Sequence, residues 1–171
     1  MAPDELKTYE DLKPFFEYLY NLSAISIAFV GFAALYLGFR QAMARKSTKL
    51  DAVITRNHFG LSFMVVGGSL LPPLLVLASV PVDKAFQWAS AIAAAPLLVF
   101  CITYPARRYK ASRLPMPTGT KVLVAFYCLA AMLLLRNVVV HEPALYLVAL
   151  TLQQFINAIT FIYALRFTLD T

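Results

Sequence analysis

Residues 59–80 read FGLSFMVVGGSLLPPLLVLASV, twenty-two positions without one charged side chain. The hydrocarbon core of a bilayer is about 30 Å thick and takes ~20 apolar residues of helix. This stretch therefore reads as a membrane span. At its centre stands Gly67-Gly68-Ser69-Leu70-Leu71-Pro72-Pro73. Proline has no amide hydrogen, so Pro72 and Pro73 free the carbonyls of Gly68 and Ser69 four residues back. Two readings of this break are open. One is a kink that shapes the bundle. The other is a discontinuous helix that builds an ion or substrate site.

Four more stretches have the same character: Leu19–Phe39, Phe86–Tyr104, Val122–Val140 and Ala144–Leu165. Hydrophobic residues make up 60% of the 171 positions and charged residues only 14%. Water-soluble domains carry about a quarter charged, and so few charges cannot furnish a water-facing surface. The expected fold is an all-α membrane protein, a compact bundle of five transmembrane helices over residues 19–171. Residues 1–18 form an acidic segment ahead of it. Within that segment the spacing predicts a short amphipathic helix over 4–13 on the outer surface, with Asp4 as N-cap and Pro14 closing it.

The connections set a direction. Residues 40–58 carry Arg40, Arg45, Lys46, Lys49 and Arg56 against Asp51, and residues 105–121 carry Arg107, Arg108, Lys110, Arg113 and Lys121 with no acid. The remaining connections hold only Asp83 with Lys84, and His141 with Glu142. Lysine and arginine stay on the cytoplasmic side, which puts the N-terminus outside and the C-terminus inside. The expected location is a bacterial inner (plasma) membrane, crossed several times. Aromatic residues support the frame. Phe15, Phe16, Tyr18, Tyr20, Trp88 and Tyr146 fall at the outer interface, and Tyr104, Tyr109, Tyr163 and Phe167 at the inner one. Pro105–Lys121 is the longest connection and reads as an ordered turn region or a docking segment. The net charge of +6 belongs to this orientation signal; no basic face interleaved with aromatics points to nucleic acid.

Several chemistries are not expected. Between Tyr18 and His141 the only acids are Asp51 and Asp83, both in connections, so no carboxylate is available at depth for proton coupling. His58 and His141 fall at opposite interfaces, which prevents joint ligation of a metal or haem. Cys101 and Cys128 read as small apolar packing residues. Gly67-Gly68-Ser69 has no base nearby to make a nucleophile of the serine. No cofactor, metal site or catalytic constellation is expected.

Three features remain as candidates. Gln153, Gln154, Asn157 and Thr160 follow i, i+1, i+4, i+7 and share one face of the fifth helix. Amides at that depth face other helices or water, since each unsatisfied group costs several kcal/mol in hydrocarbon. They form interhelical hydrogen bonds or a neutral polar lining. The break residues Gly67, Gly68, Ser69, Pro72 and Pro73 are the second candidate. The third is the small-residue face Ala24, Ala28, Gly31 and Gly38, which suits close helix approach within the bundle or between protomers. Ser90–Ala95 is similarly small. Arg136 and Asn137 lie near the outer end of the fourth helix, for Glu142, lipid phosphate or an outer vestibule. The leading functional expectation is a homo-oligomeric channel or pore-type transport protein with a neutral polar lining. An accessory or assembly subunit of a larger membrane complex is the alternative, and a membrane enzyme or lipid-handling protein the second. The expected partners are the lipid bilayer and either further copies or other membrane subunits.

Overall fold

The computed structural model describes residues 9–42 and 49–169, with side chains over 12–39, 49–50 and 52–162. Asp4, Arg45 and Lys46 lie outside the described residues, as do the side chains of Arg40, Asp51, Tyr163, Arg166 and Phe167. Five helices follow one another: α1 (Tyr9–Ala42), α2 (Lys49–Leu77), α3 (Val82–Ser112), α4 (Thr118–Val140) and α5 (Pro143–Leu169). Among the described residues there is no strand. Each helix contains a stretch long and apolar enough to cross a membrane. Large side chains on the outside, such as Ile102 (76% exposed) and Val139 (77%), belong in hydrocarbon rather than water. The protein is an all-helical, multi-pass membrane protein of five spans.

The helix ends depart from the sequence expectation in ways that matter below. Pro14 does not close a separate helix; it lies inside α1. Leu12, Phe16 and Leu19 are buried in the core, and this apolar row draws the start of α1 onto the bundle instead of the membrane surface. Pro105 likewise lies within α3, so Pro105–Lys121 is mostly helical, with a five-residue connection at 113–117. A proline interrupts one hydrogen bond; flanking helical turns carry the chain past it. At the other end α2 stops at Leu77, short of the expected Val80. A Schellman motif ends it: Val80 N–H bonds Leu75 O at 3.0 Å, Ser79 N–H bonds Val76 O at 2.9 Å, and Ser79 takes φ 65°. Arg113 and His141 end α3 and α4 in the same left-handed conformation, their N–H groups on Tyr109 O and Asn137 O.

Packing divides the bundle into two unlike halves. In the half nearest the α2–α3 and α4–α5 connections, Phe16 stacks on Phe86 (centroids 6.3 Å) and Phe86 meets Tyr146 edge-on (5.7 Å). Tyr146 and Phe16 thus turn their rings into the bundle rather than outward toward lipid. Ala85, Ala89, Ala130, Ala131 and Ala149 are fully buried and let α3, α4 and α5 approach closely. Asn137 Nδ2 donates to Ser90 Oγ at 2.7 Å, and Gln87 Nε2 to Val138 O at 3.0 Å. Asn137 therefore faces the interior, whereas Arg136 is exposed.

The proline break is sealed in this half. Tyr146 donates its hydroxyl hydrogen to Gly68 O at 2.6 Å, the carbonyl that Pro72 leaves without an amide partner. Tyr146→Phe should cost ~1 kcal/mol of stability in the wild-type background, in line with interhelical hydrogen bonds in membranes. In a Pro72→Ala background it should cost almost nothing, because the alanine amide then reclaims the carbonyl. Equal costs in both backgrounds, measured by dodecyl-sulfate unfolding, would show that the hydroxyl serves another purpose.

Candidate functional site

The other half holds a cavity of about 260 Å³ between α2, α3, α4 and α5. It lies toward the α1–α2 and α3–α4 connections, where Lys49, Arg56, Arg107, Lys110, Arg113 and Lys121 are exposed; this is the basic face. Three helices contribute matching stripes. Ile54, Asn57, His58 and Leu61 come from α2, Phe100, Tyr104 and Arg108 from α3, and Thr120, Leu123, Val124 and Tyr127 from α4. Each set recurs at three- and four-residue steps, so each occupies one helix face. Thr160 of α5 completes the lining.

Several buried nitrogen atoms in this region lack partners. His58 is 6% exposed, and neither ring nitrogen has a hydrogen-bond partner. The same holds for Asn57 Nδ2, Arg108 Nε and, deeper in the core, Asn157 Nδ2. The His58 ring is held in place by apolar contact, stacked on Phe161 at 5.5 Å and edge-on to Phe59 at 6.1 Å. A buried polar group without a partner costs several kcal/mol in hydrocarbon, so these atoms call for water or a ligand. Arg108 is the one charged side chain among the described residues that line the cavity, and no acid lines it.

The amide face of α5 divides. Gln153 Nε2 donates to Leu61 O on α2 (3.2 Å), and Gln154 Oε1 accepts from Ser26 Oγ on α1 (2.8 Å). Asn157 Oδ1 accepts from the Tyr127 hydroxyl on α4. The three amides are buried inside one protomer and tie α5 to three different helices. Thr160 alone of the four lines the cavity, its hydroxyl donating to Ile156 O (2.8 Å).

Among the break residues, Gly68, Ser69, Pro72 and Pro73 are buried while Gly67 faces outward. Ser69 Oγ has no partner. Ala24, Ala28, Gly31 and Gly38 are all at least partly exposed, so this face is not used within the bundle. Cys101 and Cys128 are half-buried free thiols lying beside one another. Among the described residues no group of three His, Cys, Asp or Glu side chains gathers in a way that would hold a metal ion.

Sequence reasoning missed the cavity because it began the second span at Phe59 and treated Arg56-Asn57-His58 as its flank. The helix starts ten residues earlier, and His58 turns inward, buried against the neighbouring helices. Likewise Tyr104, expected at the inner interface, is 8% exposed and lines the cavity. The signal that finds the site is the i, i+3, i+4, i+7 recurrence of Ile54, Asn57, His58 and Leu61, matched by Thr120, Leu123, Val124 and Tyr127.

The sequence matches no family model, and no curated protein or solved structure is significantly similar to it.

Proposed function

We propose that this protein holds a small amphipathic ligand within the membrane, in the cavity at its basic face, and so belongs with lipid-handling or ligand-binding membrane proteins. The observation that carries the reading is the set of buried donors at His58, Asn57 and Arg108 that have no partner in a cavity without an acid among its described lining. Such a lining suits a ligand with an acceptor or anionic group at one end and an apolar body at the other. The positive-inside rule puts this mouth at the cytoplasmic surface. A pore along a shared oligomer axis draws less support, because Gln153, Gln154 and Asn157 are buried inside one protomer and each holds a hydrogen bond to another helix of that protomer.

A second reading, compatible with the first, is association with further copies or with partner membrane subunits. It is favoured by the outward placement of Ala24, Ala28, Gly31 and Gly38, small residues that let another helix approach closely.

The test is native mass spectrometry of protein released from lipid nanodiscs. Wild type should retain a bound small molecule after bulk lipid is stripped. Thr160→Trp, which fills the cavity from α5, should retain none while keeping its helical circular dichroism. Equal occupancy of the two proteins would remove the cavity as the binding site.

A further inference from the structure

A second hollow runs along the outside of the bundle, in the seam between α4 and α5. Its volume is about 350 Å³, and Val122, Phe126, Leu152, Phe155, Ile156 and Ile159 form most of its wall. Gly119 and Leu123 line both this groove and the cavity. A Cβ added at Gly119 would meet nothing within 4 Å, and the glycine itself places no side chain between the two spaces. The groove has no charged residue in its lining.

The height of the cavity is set by α2. Its 29 residues span about 43 Å at the helical rise, against ~30 Å of hydrocarbon. The helix is apolar to its last residue, Leu77, so the excess lies at the basic face. Asn57 and His58, roughly 13 Å from Lys49 along the axis, then stand level with lipid head groups. Arg108 opens from α3 into the same space, and the surrounding rim is lysine and arginine.

We propose that cavity and groove are one site, occupied by an anionic lipid from the leaflet on the basic face. Its head-group oxygens take the donors of Arg108, His58 and Asn57, and one acyl chain passes over Gly119 into the α4–α5 groove. This specifies the ligand of the function proposed above and rests on it. The acyl chain moves from hydrocarbon to an apolar groove and gains little, so selectivity comes from the head group. A charge-assisted hydrogen bond is worth about tenfold or more in affinity.

The experiment uses nanodiscs of phosphatidylcholine containing phosphatidylglycerol, read by native mass spectrometry of the released protein. Wild type should retain phosphatidylglycerol about tenfold over phosphatidylcholine. Arg108→Gln should bring that ratio close to one. Gly119→Trp closes the passage, and Val122→Trp fills the groove from an exposed wall position; each should reduce retention at least fivefold, and two independent variants guard against misfolding of either. Inorganic phosphate and glycerol phosphate serve as soluble probes. If either binds as tightly as the lipid, or if both tryptophan variants retain lipid as wild type does, the lipid assignment falls while a cavity that Thr160→Trp empties still stands. Equal retention of the two lipids by wild type also overturns it. Full retention in Thr160→Trp overturns both proposals.

Discussion

Phe86→Ala is expected to destabilise the bundle by about 2 kcal/mol. Phe86 is fully buried and contacts Phe16 on α1 and Tyr146 on α5, so one ring joins three helices. In a membrane the transfer part of the usual cost largely cancels, because lipid is as apolar as the core. The cavity part remains. At ~24 cal/mol per Å³, a void of roughly 100 Å³ costs about 2 kcal/mol. The measurement is dodecyl-sulfate unfolding followed by circular dichroism, with Trp88→Ala as the comparison. Trp88 lies close to Phe86 in α3 but is 52% exposed, and its truncation should change stability by less than ~0.5 kcal/mol. Similar losses for both would mean that the aromatic cluster does not hold α1, α3 and α5 together.

The second large effect separates two adjacent glycines. A Cβ on Gly68 would lie 3.1 Å from Leu150 Cδ2 and 3.4 Å from the Tyr146 hydroxyl; on Gly67 it would meet nothing within 4 Å. Gly68→Leu should cost about 3 kcal/mol, from overpacking of the α2–α5 seam and loss of the Tyr146 bond to Gly68 O. Gly67→Leu points to lipid and should be neutral or stabilising by up to ~1 kcal/mol, as leucine is the better helix former. Parallel unfolding curves of the two variants give the answer directly. Equal destabilisation would show that both glycines serve a flexible break rather than a close contact.

The same pair shows where a one-dimensional reading stops. Proline chemistry identifies which carbonyls lose their partner, and the position of Gly68 O follows from Pro72 alone. That Tyr146 supplies the replacement depends on α5 packing against α2, seventy-eight residues away in sequence. The amides of α5 behave alike. Their shared face is visible in their spacing, but a face looks the same whether it meets water or three neighbouring helices. The small-residue face of α1 was open between use inside the bundle and outside it; alanines of α3 and α4 took the interior role, leaving the α1 face outward. The inward turn of His58 was hidden for a related reason. A charged neighbour, Arg56, suggested a helix flank, yet Arg56 points outward while Asn57 and His58 turn inward on the same helix.

What the chain's composition settles by itself is the solvent and the architecture: only helices and closed barrels satisfy the backbone in hydrocarbon, and unbroken apolar runs of ~20 residues fit a spanning helix, not the ~10-residue alternating strand of a barrel. The count of five spans and the gathering of lysine and arginine at alternate connections are properties of the string of residues. Which half of the bundle closes and which half keeps a hollow is decided by tertiary packing. It depends on aromatic rings and alanines from distant helices meeting at one end, while three mostly apolar stripes, with Asn57, His58 and Arg108 among them, face one another across a gap at the other.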